Sequence, residues 1–280
     1  MKELLANPVL VKEIKLRFRS VKSFTGLLFY LLVMSIFVFG FIFLTTSLTG
    51  NGFFRPDESF LLFSMMTYIQ LGLILFITPG LTAGTVSSER EKQTLNILLT
   101  TAQTSFQIIL GKLTSSIAFL LLLVVSGLPI YSMVFLYGGV SPGQIAVIFL
   151  FYFLTLLAIG SIGVMYSTLL RKTIVSMIAT YSTMIFFTAV TGFFLIISVS
   201  ISSASLLSGE VSPLGYFWAS INPAVVMLTL LEPSFNAEIQ TMTNIPIPLW
   251  ASYFVFYSLL SAAAIWLSVK KLRVNMNKYS

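Results

Sequence analysis

The chain contains no cysteine and no histidine. Without cysteine there is no disulfide framework and no thiolate metal site. Without histidine it lacks the commonest general base, the commonest metal ligand and the side chain that titrates near neutral pH. A Ser–His nucleophile and an HExxH zinc site are therefore excluded. Charge is also scarce. Asp, Glu, Lys and Arg make up 9% of the residues, against about 25% in an average soluble domain. No G-x-x-x-x-G-K-[ST] occurs, so this sequence cannot cradle nucleotide phosphates with a P-loop.

Apolar residues fill the space. Of 280 residues, 57% are hydrophobic and 26 are Phe, and the mean hydropathy is +0.97. The composition predicts an all-α integral membrane protein forming one transmembrane domain over 1–280. A helix needs about 20 mostly apolar residues to cross the hydrocarbon core. Six stretches qualify: 24–47, 60–86, 113–136, 144–169, 174–199 and 249–269. None contains Asp, Glu, Lys or Arg. The first is too long for the apolar core of a signal peptide, and no small-residue cleavage site follows it, so it is expected to remain in the mature protein.

The few charges are sorted by side. With six spans, fifteen of the sixteen Lys and Arg fall on one side and only Arg55 on the other. Positively charged flanks mark the cytoplasmic side, so both termini are expected there. The excess sets topology and can also bind anionic lipid; it needs no nucleic acid to explain it, and none is expected as a partner. The segment 213–231, "PLGYFWASINPAVVMLTLL", is nearly long enough to span but carries Gly215, Asn222 and Pro223. Counting it would put the C-terminal basic cluster outside. It reads as a re-entrant or surface-lying segment of an outer loop over 200–248. It either packs against the spans or forms part of a substrate path.

The first 23 residues predict an amphipathic helix. Asn7 can cap it and Pro8 suits its first position. At 100° per residue, Leu10, Val11, Ile14, Phe18 and Val21 share one arc, and Lys12, Lys15, Arg19 and Lys22 share the next. Glu13 and Arg17 form a favourable i,i+4 pair. Such a helix lies in the inner interface with its basic side towards lipid headgroups. It is either a plain anchor or an elbow that also touches a cytoplasmic partner.

Between spans two and three runs "SEREKQTLNILLTTAQTSFQIILGK", with four successive charges at Glu89, Arg90, Glu91 and Lys92. Each charge at mid-membrane costs about 2.5–3.5 kcal/mol, so the chain must leave the bilayer by Glu89, and it is expected to re-enter after Lys112. Ser88 with Glu91 fits a capping box. This predicts a short helix over 88–101 carrying Thr94, Leu95, Leu98 and Leu99. Its Leu stripe either dips into lipid or fits a groove with a basic rim and an apolar floor on a cytoplasmic partner.

The stretch resembles the signature of ABC-2 type transporter permeases: an "ERE-K-x-T-L" run, a Leu pair, a short polar turn, then "I-x-x-G-K" entering span three. Glu89, Arg90, Glu91, Lys92, Thr94, Leu95, Leu98, Leu99, Gly111 and Lys112 occupy matching positions. Ala102 departs from the pattern, where the family often has Pro. The opening "NPVLVKEIKLRFR" is similar to the interfacial helix that begins many of these permeases. The resemblance implies an exporter subunit that pairs with a second permease, a copy or a paralogue, and with two ATP-binding cassette subunits. It holds no cofactor itself, with ATP and Mg on the partner subunits. The segment 87–112 would carry the ATPase contact through Glu89, Arg90, Glu91, Lys92, Thr94, Leu95, Leu98 and Leu99. Spans one, two and five would rearrange at the dimer interface. The expected location is the cytoplasmic membrane of a prokaryotic cell. The apolar, aromatic lining suits a lipid-like, peptide or amphiphilic cargo.

The alternative is an ATP-independent channel, carrier or structural membrane subunit. An ion-coupled carrier is less favoured, because no ionisable residue lies within a span, and an enzyme is not expected. Gln70, Thr78, Tyr166, Thr180 and Tyr181 read as helix–helix hydrogen-bonding groups rather than substrate contacts. Gly80 with Gly84, and Gly160 with Gly163, permit close helix approach. Pro79 and Pro129 predict kinks.

Overall fold

Apolar helices build the architecture, and the side chains of Thr104, Ser141 and Asn222 cap three of them. The computed structural model describes residues 8–49, 56–95, 103–137, 140–205 and 213–277, and no strand occurs among them. The elements run α1 (Pro8–Phe18), α2 (Val21–Thr49), α3 (Pro56–Thr82), α4 (Ser87–Glu91), α5 (Ser105–Ser126), α6 (Leu128–Tyr137), α7 (Pro142–Leu169) and α8 (Thr173–Ile185). A π-helical turn (Phe186–Val190) leads into α9 (Thr191–Ser205), followed by α10 (Leu214–Ile221), α11 (Pro223–Leu231), α12 (Pro233–Thr243) and α13 (Leu249–Asn277). Six helices among the described residues are long and apolar enough to cross a membrane. They are α2, α3, α5, α7, α8 continued through the π-turn into α9, and α13. The protein is a multi-pass helical membrane protein.

The central helix is α7, packed against α3, α5, α8, α11 and α13. In the most apolar windows of α5 and α7, 67% of residues are buried, against 17% in those of α2 and of α8–α9. The third and fourth spans therefore form the core, and the first and fifth present most of their surface outward. Lipid tails are as apolar as Leu, so helices associate in a bilayer through close packing and hydrogen bonds. The small residues supply the packing. At Gly163 an added Cβ would lie 2.9 Å from Thr82 Cβ and 3.3 Å from the Ala83 amide, so α7 crosses α3 backbone to backbone. Gly80 and Gly84 face the fifth span, against Tyr181 and Thr173.

The polar residues supply the hydrogen bonds. Tyr30 on α2 donates to Gln70 Oε1 on α3. Tyr166 and Thr183 join α7 to α8 at 3.1 Å. Tyr181 donates to Phe76 O at 2.9 Å, a carbonyl in the turn before the internal Pro79. Thr78 and Thr180 instead bond within their own helices, to Ile74 O and Ser176 O. The expected break in span three falls at Gly127, just before Pro129.

The segment 213–231 divides into α10 and α11, bent by 90° at Asn222. It packs against the spans: α11 lies on α3, α7 and α13. Asn222 holds the corner together. Its Oδ1 accepts from Ala224 N at 2.9 Å and Val225 N at 3.2 Å, capping α11. Its Nδ2 donates to Thr188 O at 2.7 Å and Thr191 Oγ1 at 3.0 Å. The first of these acceptors lies in the π-turn, where α-helical pairing is disrupted. Tyr257 on α13 donates to Ile221 O at 2.9 Å. The adjoining cavity, lined by Leu75, Thr180, Met184, Thr188, Pro223 and Tyr257 among others, has about 10 Å³ of water-accessible volume, room for one water.

Gly163→Ala should force α3 and α7 apart and cost about 1–3 kcal/mol of stability. Gly40→Ala, where an added Cβ meets nothing within 4 Å, should not. Thermal unfolding of both variants in detergent checks this.

Candidate functional site

The charged stretch closes one end of the bundle, and it differs from the expected helix over 88–101. After α3, residues 83–86 form a turn and α4 covers only Ser87–Glu91. Gln93 then adopts φ 57°, a left-handed conformation that ends the helix. Ser88 is not a cap. Val86 stands at the N-cap without a side-chain bond, and Ser88 Oγ bonds back to Gly84 O. The capping box lies further on. Gln107 N donates to Thr104 Oγ1 at 3.2 Å and Thr104 N to Gln107 Oε1 at 3.0 Å. Helix α5 thus begins at Ser105 rather than after Lys112, and Lys112 sits two turns inside it.

Lys112 is buried, with 3% of its side chain exposed. A buried ammonium is costly unless paired, and here it is paired twice. Its Nζ lies 2.7 Å from Glu89 Oε1 on α4 and 3.1 Å from Glu13 Oε1 on α1. The second oxygen of Glu89, Oε2, is buried without a hydrogen-bond partner among the described residues, so Lys112 fixes that carboxylate. Glu13 was expected to pair with Arg17; its carboxylate instead bonds Lys112, while still exerting a favourable charge effect on Arg17. Phe18 and Phe119 add an edge-to-face contact between α1 and α5 at 6.1 Å.

The next two charges serve as caps for other helices. Arg90 Nη2 donates to Thr168 O at 3.0 Å and Nη1 to Leu170 O at 3.1 Å. A cation on these carbonyls suits the negative end of α7. Glu91 accepts from Thr173 N at 2.8 Å and from Thr173 Oγ1 at 2.9 Å. It caps α8 from another element, since the N-cap residue Lys172 provides no side-chain cap. The Thr173 amide, then its hydroxyl, hold the Glu91 carboxyl below its ordinary pKa, with the Lys172 charge adding to the effect. Ser167 completes the joint: its Oγ accepts from Val86 N and Ser87 N, each at 2.9 Å.

The predicted contact residues therefore separate. Glu89 and Arg90 point into the protein, and Glu91 is exposed but bonded to α8. Lys92 and Thr94 are exposed, with Thr94 Oγ1 donating to Glu89 O at 3.2 Å. Leu95 is 1% exposed and packs with Val86, Ile108, Ile109, Leu113 and Leu272, so it offers no apolar face to a partner. Leu98 and Leu99 lie outside the described residues. On α1, Lys12 and Lys15 are exposed beside exposed Val11, Leu16 and Phe18, and Arg19 is exposed in the turn that follows; the Lys22 side chain and Asn7 lie outside the described residues. Sequence reasoning missed Ser167, Thr168, Leu170 and Thr173. Nothing in their local pattern marks them as partners of a segment about 80 residues away.

Among the described residues no group of three or more carboxylates could hold a metal. No family model matches the sequence, and no curated protein matches it.

Lys112→Met should leave Glu13 and Glu89 unpaired at a partly buried site and cost about 3 kcal/mol. Adding Glu13→Gln and Glu89→Gln should restore most of the loss. Unfolding midpoints of the single and triple variants check this; equal loss in both would remove the ion triad as the cause.

Proposed function

We propose that the chain is the permease subunit of an ATP-driven exporter of the ABC-2 type. One observation carries the reading. The short α4 is tied to α1 and α5 through Glu89 and Lys112, to the end of α7 through Arg90, and to the start of α8 through Glu91. A push on residues 92–94 would reach four helices at once, as a coupling segment requires. A loop that merely rests on lipid needs no such joints.

In this reading the basic end of the bundle faces the cytoplasm and both termini lie there. Helix α1 lies in the interface, with Lys12 and Lys15, and Arg19 just beyond its end, towards anionic headgroups and Val11 and Phe18 towards the acyl chains. Two ATP-binding cassette subunits hold ATP and Mg and dock at the α4 turn. A second permease, a copy or a paralogue, covers part of the outward faces of α2 and α8–α9, the two least buried spans. ATP-driven closure of the cassettes moves α4, and the bundle shifts as rigid helices at the dimer interface. Cargo travels outward between the two permeases. The apolar and aromatic outer faces of these spans suit a lipid-like, peptide or amphiphilic molecule.

Affinity purification of the solubilised protein from its native host, with partners identified by mass spectrometry, tests this. An ATP-binding subunit at near-stoichiometric yield is expected. A lone protein under mild conditions would overturn the reading in favour of an ATP-independent channel, carrier or structural subunit.

A further inference from the structure

Two of the small cavities inside the bundle differ in their polar linings. Beside the π-turn, the hydroxyls of Thr180, Thr183, Thr188 and Tyr257 all donate to carbonyls, those of Ser176, Ala179, Met184 and Ile221. No donor there is left free. The second cavity lies between α2, α3 and α5. Leu, Ile and Val side chains line it, together with Tyr30 and Gln70. Both polar residues are almost fully buried, at 2% and 1% exposure. The Tyr30 hydroxyl donates to Gln70 Oε1. Gln70 Nε2 is buried with no hydrogen-bond partner among the described residues. Gln70 sits near the middle of α3, at a depth where bulk water does not reach and an unmade hydrogen bond is costly. Gly127, at the break between α5 and α6, packs on the pair. An added Cβ there would lie 2.7 Å from the Tyr30 hydroxyl and 3.7 Å from Gln70 Oε1.

We infer that this second cavity is a binding site for one buried water, which closes a hydrogen-bonded ring with Gln70 and Tyr30. The cavity has about 10 Å³ of water-accessible volume, the space of a single water. A purely apolar cavity stays dry, whereas one with a free amide donor and a hydroxyl offers a water its partners. In the ring, Gln70 Nε2 donates to the water, the water donates to the Tyr30 oxygen, and Tyr30 donates to Gln70 Oε1. Each group then both gives and takes, the arrangement in which hydrogen bonds reinforce one another. Turning the amide over reverses every donor in the ring and keeps the water. A lipid ester or an amphiphile would offer the same acceptor oxygen, but it would bring carbon atoms for which the cavity has no room. The site lies where α2, one of the two least buried spans, meets the bundle. Tyr30 stands there in a buried ridge with Met34 and Val38, so the water forms part of the joint that holds this span. The inference does not depend on the permease reading.

Crystals of the full chain grown in a lipid mesophase test this directly. A round density peak within about 3 Å of both Gln70 Nε2 and the Tyr30 oxygen is expected. An empty cavity, or elongated density running out towards the acyl chains, would overturn the inference. Brief X-ray exposure of the solubilised protein in water enriched in heavy oxygen gives a second reading, because radicals formed from a bound water hydroxylate the side chains beside it. Tyr30 should take up label several-fold faster than Tyr253, which is as deeply buried and pairs with Thr155 at 2.8 Å. Equal labelling of the two tyrosines would count against the site. Tyr30→Phe with Gln70→Met removes every polar side-chain group of the ring at nearly constant volume. This double variant should lose the density peak, and a peak that stays would show that the ring does not hold the water.

Discussion

A lysine ammonium buried two turns inside α5 is the constraint around which one whole end of the protein is arranged. An unpaired ammonium there would be very costly. Glu89 and Glu13 neutralise it, and in doing so they bring α4 and α1 to the same side of α5. Once Glu89 is fixed, its neighbours are fixed too. Successive residues on a helix point about 100° apart, so Glu89, Arg90 and Glu91 aim in three directions. Glu89 meets Lys112 inside α5, and the other two each meet a helix end. The signs of these two charges match the ends they meet: the Arg90 cation on the carbonyls closing α7, the Glu91 carboxylate on the amide and hydroxyl of Thr173 at the start of α8.

The rest of the bundle obeys the same accounting in a milder form. Burying apolar surface gains little when the alternative environment is lipid, so cohesion falls to contact and hydrogen bonding. Gly163 lets α3 and α7 touch at backbone distance. Tyr30, Tyr166, Tyr181 and Tyr257 each reach an acceptor or hydroxyl on another element. Asn222 uses both ends of its amide to keep a right-angled corner intact where the backbone would otherwise leave donors and an acceptor unpaired.

Much of this was legible in the sequence because hydropathy and charge sorting are properties of long stretches. Six spans and their limits to within several residues follow from sums over about twenty positions. The glycine pairs and the inter-span roles of Gln70, Tyr166 and Tyr181 were legible because small or polar residues in lipid have few other uses. The joint at α4 was not. Its helix end turns on Gln93 adopting a left-handed conformation, which Gln rarely marks, and its partners sit far away in sequence. A capping-box pattern at Ser88 and Glu91 was real as a string and absent as a structure, because Glu91 found a better donor pair at the start of α8. Lys112 read as a loop boundary for the same reason: a positive charge looks like the edge of a span until a pair of carboxylates comes to it.

The π-turn at Phe186–Val190 carries a consequence for how the fifth span can vary. A π-turn places one surplus residue in the helix, which rotates everything beyond it by about 100° relative to everything before it. The proximal half thus shows Tyr181 and Thr183 to α3 and α7, while the distal half shows Phe194 to Trp218 of α10, stacked at 4.9 Å. Neither face could be matched by one unbroken α-helix of this length. Residue number in this span is therefore under a constraint that residue identity is not. Deleting any one position of the turn would straighten the helix, swing Phe194 off Trp218 and leave Asn222 without its carbonyl, whereas many exchanges of one apolar side chain for another would pass unnoticed.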